Sequence, residues 1–216
     1  MDDHTRDRLD GEIRRMLDRY DEPVLVEMEA EAEARGFPAI GRTVGVVVEI
    51  LARSIGARRV FELGSGFGYS AYWFARAVGE GGEVHLTEFD GANIVKATDY
   101  LGRAGVGDRC RFHTGDALAS FAATPGGFDI VFCDIDKHEY PRAFREARSR
   151  IRVGGLWICD NSLGIGAGTI VDDLPGRTGE MIDGIREHDE LVSADPDFVA
   201  TILPIREGVM VALRLR

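Results

Sequence analysis

Read as hydrophobic and polar positions, the chain changes character near residue 56. Before that point apolar residues recur at helical spacing among charges. Leu9, Ile13, Met16, Leu17 and Tyr20 do so within Asp2–Tyr20. Val24, Leu25 and Met28 continue the habit in Pro23–Arg35, which should end at Gly36-Phe37-Pro38. Thr43–Ser54 is a third predicted helix, apolar through Val44, Val47, Val48 and Leu51. The first two helices are strongly acidic. Packing on the edge of the fold is the reading preferred for them over a substrate lid or a dimer arm.

From Arg58 onward short apolar runs alternate with helical stretches. The predicted strands are Arg59–Leu63, Glu83–Glu88, Arg109–His113, Phe128–Cys133 and Leu156–Cys159. Helices are expected from the glycine turn to about Val78, from Gly91 to about Ala104, and from about Tyr140 to Arg150, with Pro141 in a first turn where proline is tolerated. Asn161–Gly179 is glycine-rich and weakly patterned, which predicts a loop, and Glu180–Asp189 reads as a helix. Phe198–Pro204 and Val209–Leu215 are apolar and lie only four residues apart, the spacing of a terminal β-hairpin. The pattern therefore predicts an α/β fold: a Rossmann-like, doubly wound, mostly parallel sheet with N-terminal helices and a C-terminal hairpin. One domain is expected over residues 1–216, with 1–55 as a helical extension and 56–216 as the α/β core.

Composition narrows the class. With 44% hydrophobic and 29% charged residues the chain is ordinary for a soluble globular protein. No apolar run approaches the about 20 residues of a membrane span, and the polar start is not a signal peptide, so a cytoplasmic location is the expectation. The net charge of −11 argues against a broad nucleic-acid or anionic-membrane surface. Of 26 basic residues only Lys96 and Lys137 are lysines, a bias that fits a salt-loving source or a GC-rich genome equally well. Cys110, Cys133 and Cys159 are odd in number and embedded in apolar runs, which reads as buried small hydrophobes and not as a disulfide framework or zinc site.

Candidate chemistry sits where strands end. The first strand breaks on Gly64, Gly66 and Gly68, and a helix starts directly after them at Ser70. Glycines allow a sharp turn and close approach of a ligand to the main chain, and the new helix turns free N–H groups toward it. Tyr69 stands where a dinucleotide fingerprint would place its third glycine. Glu62 is a charge in an otherwise apolar strand. Glu88 ends the second strand, where an acid can accept from both ribose hydroxyls of a nucleoside; alone it would read as a solvated strand end. Gly115-Asp116-Ala117 follows the third strand and also suits an ordinary turn.

The fourth strand runs into Asp134, Asp136 and Lys137, and the fifth into Asp160-Asn161. If these strands are neighbours, Asp134, Asp160 and Asn161 converge, an oxygen-only set suited to Mg²⁺, Mn²⁺ or Ca²⁺. Of the histidines at 4, 85, 113, 138 and 188, only His138 falls near this point, where exposure to solvent is expected. Phe67, Tyr69, Tyr72, Trp73 and Phe74 read mostly as helix packing, with Phe67 able to edge a pocket.

These residues resemble a family. Glu62-Leu63-Gly64 followed by Gly68-Tyr69-Ser70 is similar to the glycine motif of class I S-adenosylmethionine (SAM)-dependent O-methyltransferases. The runs FDIVFCDIDKHEY and GGLWICDN resemble the metal-dependent members related to catechol and caffeoyl-CoA O-methyltransferases. The likeness spans roughly Ile40 to Arg216. It implies SAM beside Glu62, Gly64, Gly66, Gly68, Ser70, Glu88, Asp116, Ala117 and Asp134, a divalent metal on Asp134, Asp160 and Asn161, and Lys137 as general base. It implies a small acceptor with vicinal hydroxyls, most simply a catechol, and is compatible with a homodimer. Gly66 departs from relatives that carry an aromatic residue or threonine there, and Ser162-Leu163-Gly164 departs from their run after the Asp-Asn pair. Two alternatives stay open at this point: methylation of a hydroxylated tRNA base, and a SAM- or nucleotide-binding protein without catalysis.

Overall fold

Alternation along the central strands decides the architecture. In β1 (Arg59–Leu63) Val60 faces one side of the sheet while Phe61 and Leu63 face the other. Burial on both faces is what helices on both sides of a parallel sheet produce. The computed structural model describes residues 8, 11–13, 15–165, 168–169 and 177–216. Of the expected first helix, residues 8, 11–13 and 15–17 are helical, while His4, Leu9 and its other residues before 15 lie outside the described residues, as does much of the expected loop over 161–179.

The N-terminal helices are α1 (Pro23–Arg35) and α2 (Gly41–Ser54), after a 3-10 turn at Asp18–Tyr20. Proline at the first helical position and left-handed Gly36 beyond the last bound α1 as the sequence suggests. Three of its acids are paired with other elements of the fold. Glu29 accepts from Tyr69 Oη at 2.6 Å and from Arg42, Glu27 from Arg103 at 2.7 Å, and Glu31 from Lys96 and Tyr100.

The core continues as α3 (Tyr69–Val78), β2 (Glu83–Glu88), α4 (Gly91–Arg103), β3 (Cys110–Thr114), α5 (Ala117–Ala123), β4 (Phe128–Cys133), α6 (Tyr140–Ala147) and β5 (Ile151–Cys159). Two-residue strands β6 (Gly164–Ile165) and β7 (Gly168–Thr169) pair with each other; α7 (Arg177–Ala194), β8 (Phe198–Leu203) and β9 (Val209–Arg214) complete the described chain. The seven-stranded sheet has the order β3-β2-β1-β4-β5-β9-β8. β3 to β5 pair in parallel, while β9 is antiparallel to both β5 and β8. One core face packs under α1 to α4, the other under α5 to α7. All three cysteines are free and buried. Among the described residues no helix is long and apolar enough to cross a membrane.

Several boundaries move. β3 starts at Cys110 because Gly107–Arg109 forms a 3-10 turn. β5 starts at Ile151, and its register shifts around the glycine pair, where Gly154 is left-handed (φ 76°). The last residues of the helix expected to reach Arg150 tighten into a 3-10 turn at Arg148–Arg150. α7 extends beyond Glu180–Asp189 at both ends. α5 was not expected. It buries only Leu118 and Phe121, a stripe too short for a periodic signal, and starts because the Asp116 carboxylate accepts from Ala119 N–H at 2.7 Å.

Candidate active site

The order reversal between β1 and β4 leaves an opening beyond the strands' carboxyl ends, where such sheets place ligands. A cavity of about 660 Å³ occupies it. Gly64, Gly66, Ser70, Glu88, Asp116, Ala117, Asp134, Lys137, Asp160 and Asn161 all line it. β4 and β5 are neighbours, the condition for the acids to converge, with Cys133 opposite Cys159, so the two acid-bearing strand tips stand side by side.

Glu62 and Gly68 are not among the lining residues. Strand alternation places Glu62 with Val60 on the face under α3, one layer behind the cavity, fully buried. Burial pushes its carboxyl pKa up to about 8 and the charge of Asp134 adds to the shift; the Ser65 and Ser70 hydroxyls stand near enough to oppose it without reaching hydrogen-bond geometry. Neither carboxylate oxygen has a hydrogen-bond partner. Gly68 caps α3 and packs on Ala97 and Leu101.

Two of the glycines show why the turn must be glycine. Gly64 has φ 81°, and a Cβ there would stand 2.5 Å from the Asp134 carbonyl oxygen, so a side chain would push β1 and β4 apart at the cavity floor. Gly66 has φ 52°, and a Cβ would stand 2.6 Å from the ring of Phe37. The space beside this turn is thus occupied by Phe37 from the N-terminal segment. The turn is stitched to β2 by Thr87, whose hydroxyl donates to Glu62 O at 2.7 Å and accepts from Gly64 N–H at 3.0 Å.

Glu88 reaches the cavity as expected, with one carboxylate oxygen accepting from Asp90 N–H at 2.8 Å. Asp116 also lines it, but its side chain is engaged in capping α5.

At the other end, Lys137 Nζ donates to Asp134 Oδ1 at 2.8 Å, with only 13% of the lysine side chain exposed. Burial pulls the ammonium pKa down, but the charge and hydrogen bond of Asp134, helped by Cys159 and Asp160, outweigh it, and the net shift is upward. Asp160 is 5% exposed and its Oδ1 has no partner. Burial and the nearby Asp134 charge raise its pKa to about 7. Asn161 is held in the left-handed region (φ 59°), which asparagine tolerates better than most residues. His138 is exposed, as the sequence suggested.

Two buried or half-buried carboxylates and an amide side by side, one carboxylate oxygen unpartnered, form a donor set that a hard divalent cation would relieve. Among the described residues no three His, Cys, Asp or Glu side chains form a metal cage, so protein groups would fill only part of a coordination shell. The residues present fit such an ion.

Other lining residues were invisible in the sequence. Phe37, Pro38, Ala39 and Ile40 wall the cavity from the segment between α1 and α2, and Met181, Arg206 and Glu207 from beyond β5. Arg206 Nη1 donates to Ala39 O at 2.7 Å and so ties these two walls together. Arg206 has φ 51°, the one signal being a turn between two predicted strands. Phe67 edges the cavity, 4.9 Å from the ring of Phe37.

Comparison with known proteins identifies relatives of the chain. The O-methyltransferase family model matches residues 19–215. A catechol O-methyltransferase of Niastella koreensis is 30% identical over 209 residues, covering 94% of this chain and 92% of that protein. A caffeoyl-CoA O-methyltransferase of Eucalyptus gunnii is 27% identical, covering 80% of this chain and 72% of its own. Among solved structures, an O-methyltransferase from Bacillus cereus in complex with SAH superposes with a TM-score of 0.79 at 30% identity, covering 90% of this chain and 91% of the other.

Proposed function

The chain belongs to the O-methyltransferase family, and from that premise we propose that it moves the methyl group of SAM onto one of two vicinal hydroxyls of a small aromatic acceptor, with a divalent cation. The observation that carries this reading is the meeting of Asp134, Lys137, Asp160 and Asn161, read as the acceptor end, in one cavity that the glycine turn, Glu88 and Ala117 also line.

Bound SAM supplies an electrophilic methyl carbon on a sulfonium. Glu88 would accept from its ribose hydroxyls, and the turn Gly64–Gly68 would leave room for its amino-acid end; Ser65 and Ser70 line the same cavity. Asp134, Asp160 and Asn161 would hold a divalent cation, which lowers the pKa of an adjacent acceptor hydroxyl. Lys137 Nζ would accept the acceptor hydroxyl's proton, and SAM, when bound, would supply the methyl carbon to the freed oxygen and leave as the thioether. Fixing the two reactants in one cavity supplies much of the rate. Phe37, Met181 and Arg206 complete the cavity wall.

Transfer to tRNA is the weaker reading, because the cavity's acceptor end is lined mainly by carboxylates, Asp134, Asp136, Glu139, Asp160 and Glu207. The deciding experiment supplies methyl-labelled SAM with catechol, a caffeoyl thioester or undermethylated tRNA, with Mg²⁺ or with EDTA. Label in the dihydroxy aromatics, lost in EDTA and restored by Mg²⁺ or Mn²⁺, is the expected result. Label only in tRNA would overturn the acceptor, and undiminished turnover in excess chelator the metal.

A further inference from the structure

Behind the cavity floor, on the α7 side of the sheet, lies a buried polar network that lines no part of the cavity. His188 is fully buried. Trp157 Nε1 of β5 donates to His188 Nε2 at 2.9 Å, and His188 Nδ1 lies 2.8 Å from Asp189 Oδ1. An indole N–H can only donate, so Nε2 carries the lone pair and Nδ1 carries the proton toward Asp189. One neutral tautomer satisfies both of these bonds, while Asp189 Oδ2 is left buried without a partner.

The same ring packs edge-on to Tyr140, with centroids 5.5 Å apart. The Tyr140 hydroxyl donates to the backbone carbonyl of Asp160 at 3.0 Å, and its ring lies 5.1 Å from Lys137 Nζ. One turn earlier on α7, Gly184 abuts the turn that carries the lysine: a Cβ there would stand 2.4 Å from Lys137 O. α7 therefore touches both site-bearing turns from behind, one through Gly184 and Tyr140, the other through Trp157, which lies three residues before Asp160 on the same strand.

An apolar pair would fill this volume without the need to satisfy buried polar atoms. The directional bonds add a fixed orientation. We propose that His188 is a positioning residue: by accepting from Trp157 and supporting Tyr140, it sets the placement of Asp160 and Lys137 on which cation binding and proton transfer depend. This rests on the O-methyltransferase reading with a divalent cation.

The test compares His188→Phe, which fills the space without an acceptor, His188→Gln, which keeps one, and the double variant His188→Phe/Trp157→Phe, which removes both polar partners and restores an apolar core. Each is assayed on the full chain for Mn²⁺ affinity by electron paramagnetic resonance, SAH affinity by calorimetry, kcat and KM, and melting temperature. Outer-layer support of a metal site is typically worth about 10–100-fold, so His188→Phe should lose that much in Mn²⁺ affinity and kcat with SAH affinity within about twofold. His188→Gln should recover most of the loss. The double variant should regain thermal stability while Mn²⁺ affinity and kcat stay low, a separation that a merely structural role does not produce. A folded double variant matching wild type in both overturns the role of His188 alone. A wild-type chain that binds no Mn²⁺ overturns the reading of the site, and the proposal with it.

Discussion

Replacing Lys137 by arginine separates charge from proton transfer. The lysine is almost wholly buried, 2.8 Å from Asp134 Oδ1. Arginine keeps the cation and can keep that charge-assisted hydrogen bond, worth about 1.5–3 kcal/mol, so folding and SAM affinity should change little. It cannot release a proton in a protein. Losing a general base typically costs about 10²–10⁴-fold, or roughly 3–5 kcal/mol of barrier, and that whole loss should fall on kcat. The structure adds a direction: Asp134 holds the Lys137 pKa above its ordinary value. Turnover should therefore rise with pH beyond neutrality in the wild type, and Lys137→Arg should abolish that rise. Lys96→Arg is the control. Lys96 pairs with Glu31 on α1 and is 42% exposed, and arginine can make the same pair. The assay is kcat against pH at saturating SAM and Mg²⁺ with an acceptor already shown to be methylated. Near-wild-type kcat in Lys137→Arg would refute the reasoning and leave Lys137 as a charge that steadies Asp134.

Three further outcomes are expected. Asp160→Ala should abolish Mg²⁺-dependent turnover and weaken Mn²⁺ binding, with SAH affinity nearly intact in calorimetry; a comparable loss of SAH would place Asp160 on the cofactor side instead. Glu88→Ala should weaken SAH roughly ten- to a hundredfold, the value of about 1.5–3 kcal/mol for a lost charge-assisted hydrogen bond, and unchanged affinity would make it an ordinary strand end held by Asp90. Glu62, raised by burial to about 8, binds its proton more tightly folded than unfolded, so its share of stability is complete below about pH 4.5 and is lost as pH rises to about 8. Urea titrations of the cofactor-free protein in EDTA should show that decline, and Glu62→Gln should flatten it, leaving the smaller part due to Asp160; parallel curves for the two proteins would mean that Glu62 is already ionised when folded.

The sequence was informative where one strand decides its own surroundings. β1, β2 and β4 were legible to the residue because each is an apolar run closed by glycine or a charge, and the acids after β4 and β5 announced a shared edge once the strands were neighbours. Glu62 shows the limit: an acid in an apolar strand signals a special environment, but the pattern does not distinguish a position lining the cavity from one beneath the adjoining helix. α5 escaped because two buried residues make no periodicity. Phe37, Arg206 and Glu207 escaped for a different reason. Their place on the wall is set by packing between segments nearly 170 residues apart, and nothing local in either segment records it.

The fit of Phe37 over Gly66 constrains how this chain can exchange parts with its relatives. A crossover anywhere between residues 38 and 65 would bring in a glycine turn that evolved beside a different N-terminal segment. A larger residue at 66 would collide with the Phe37 ring, whereas a smaller residue at 37 would leave Gly66 facing a hole. Neither position can be inherited alone. Chimeras should tolerate breakpoints before Phe37 or after Phe67, and a recombination map of the family would show the interval between them travelling as one block.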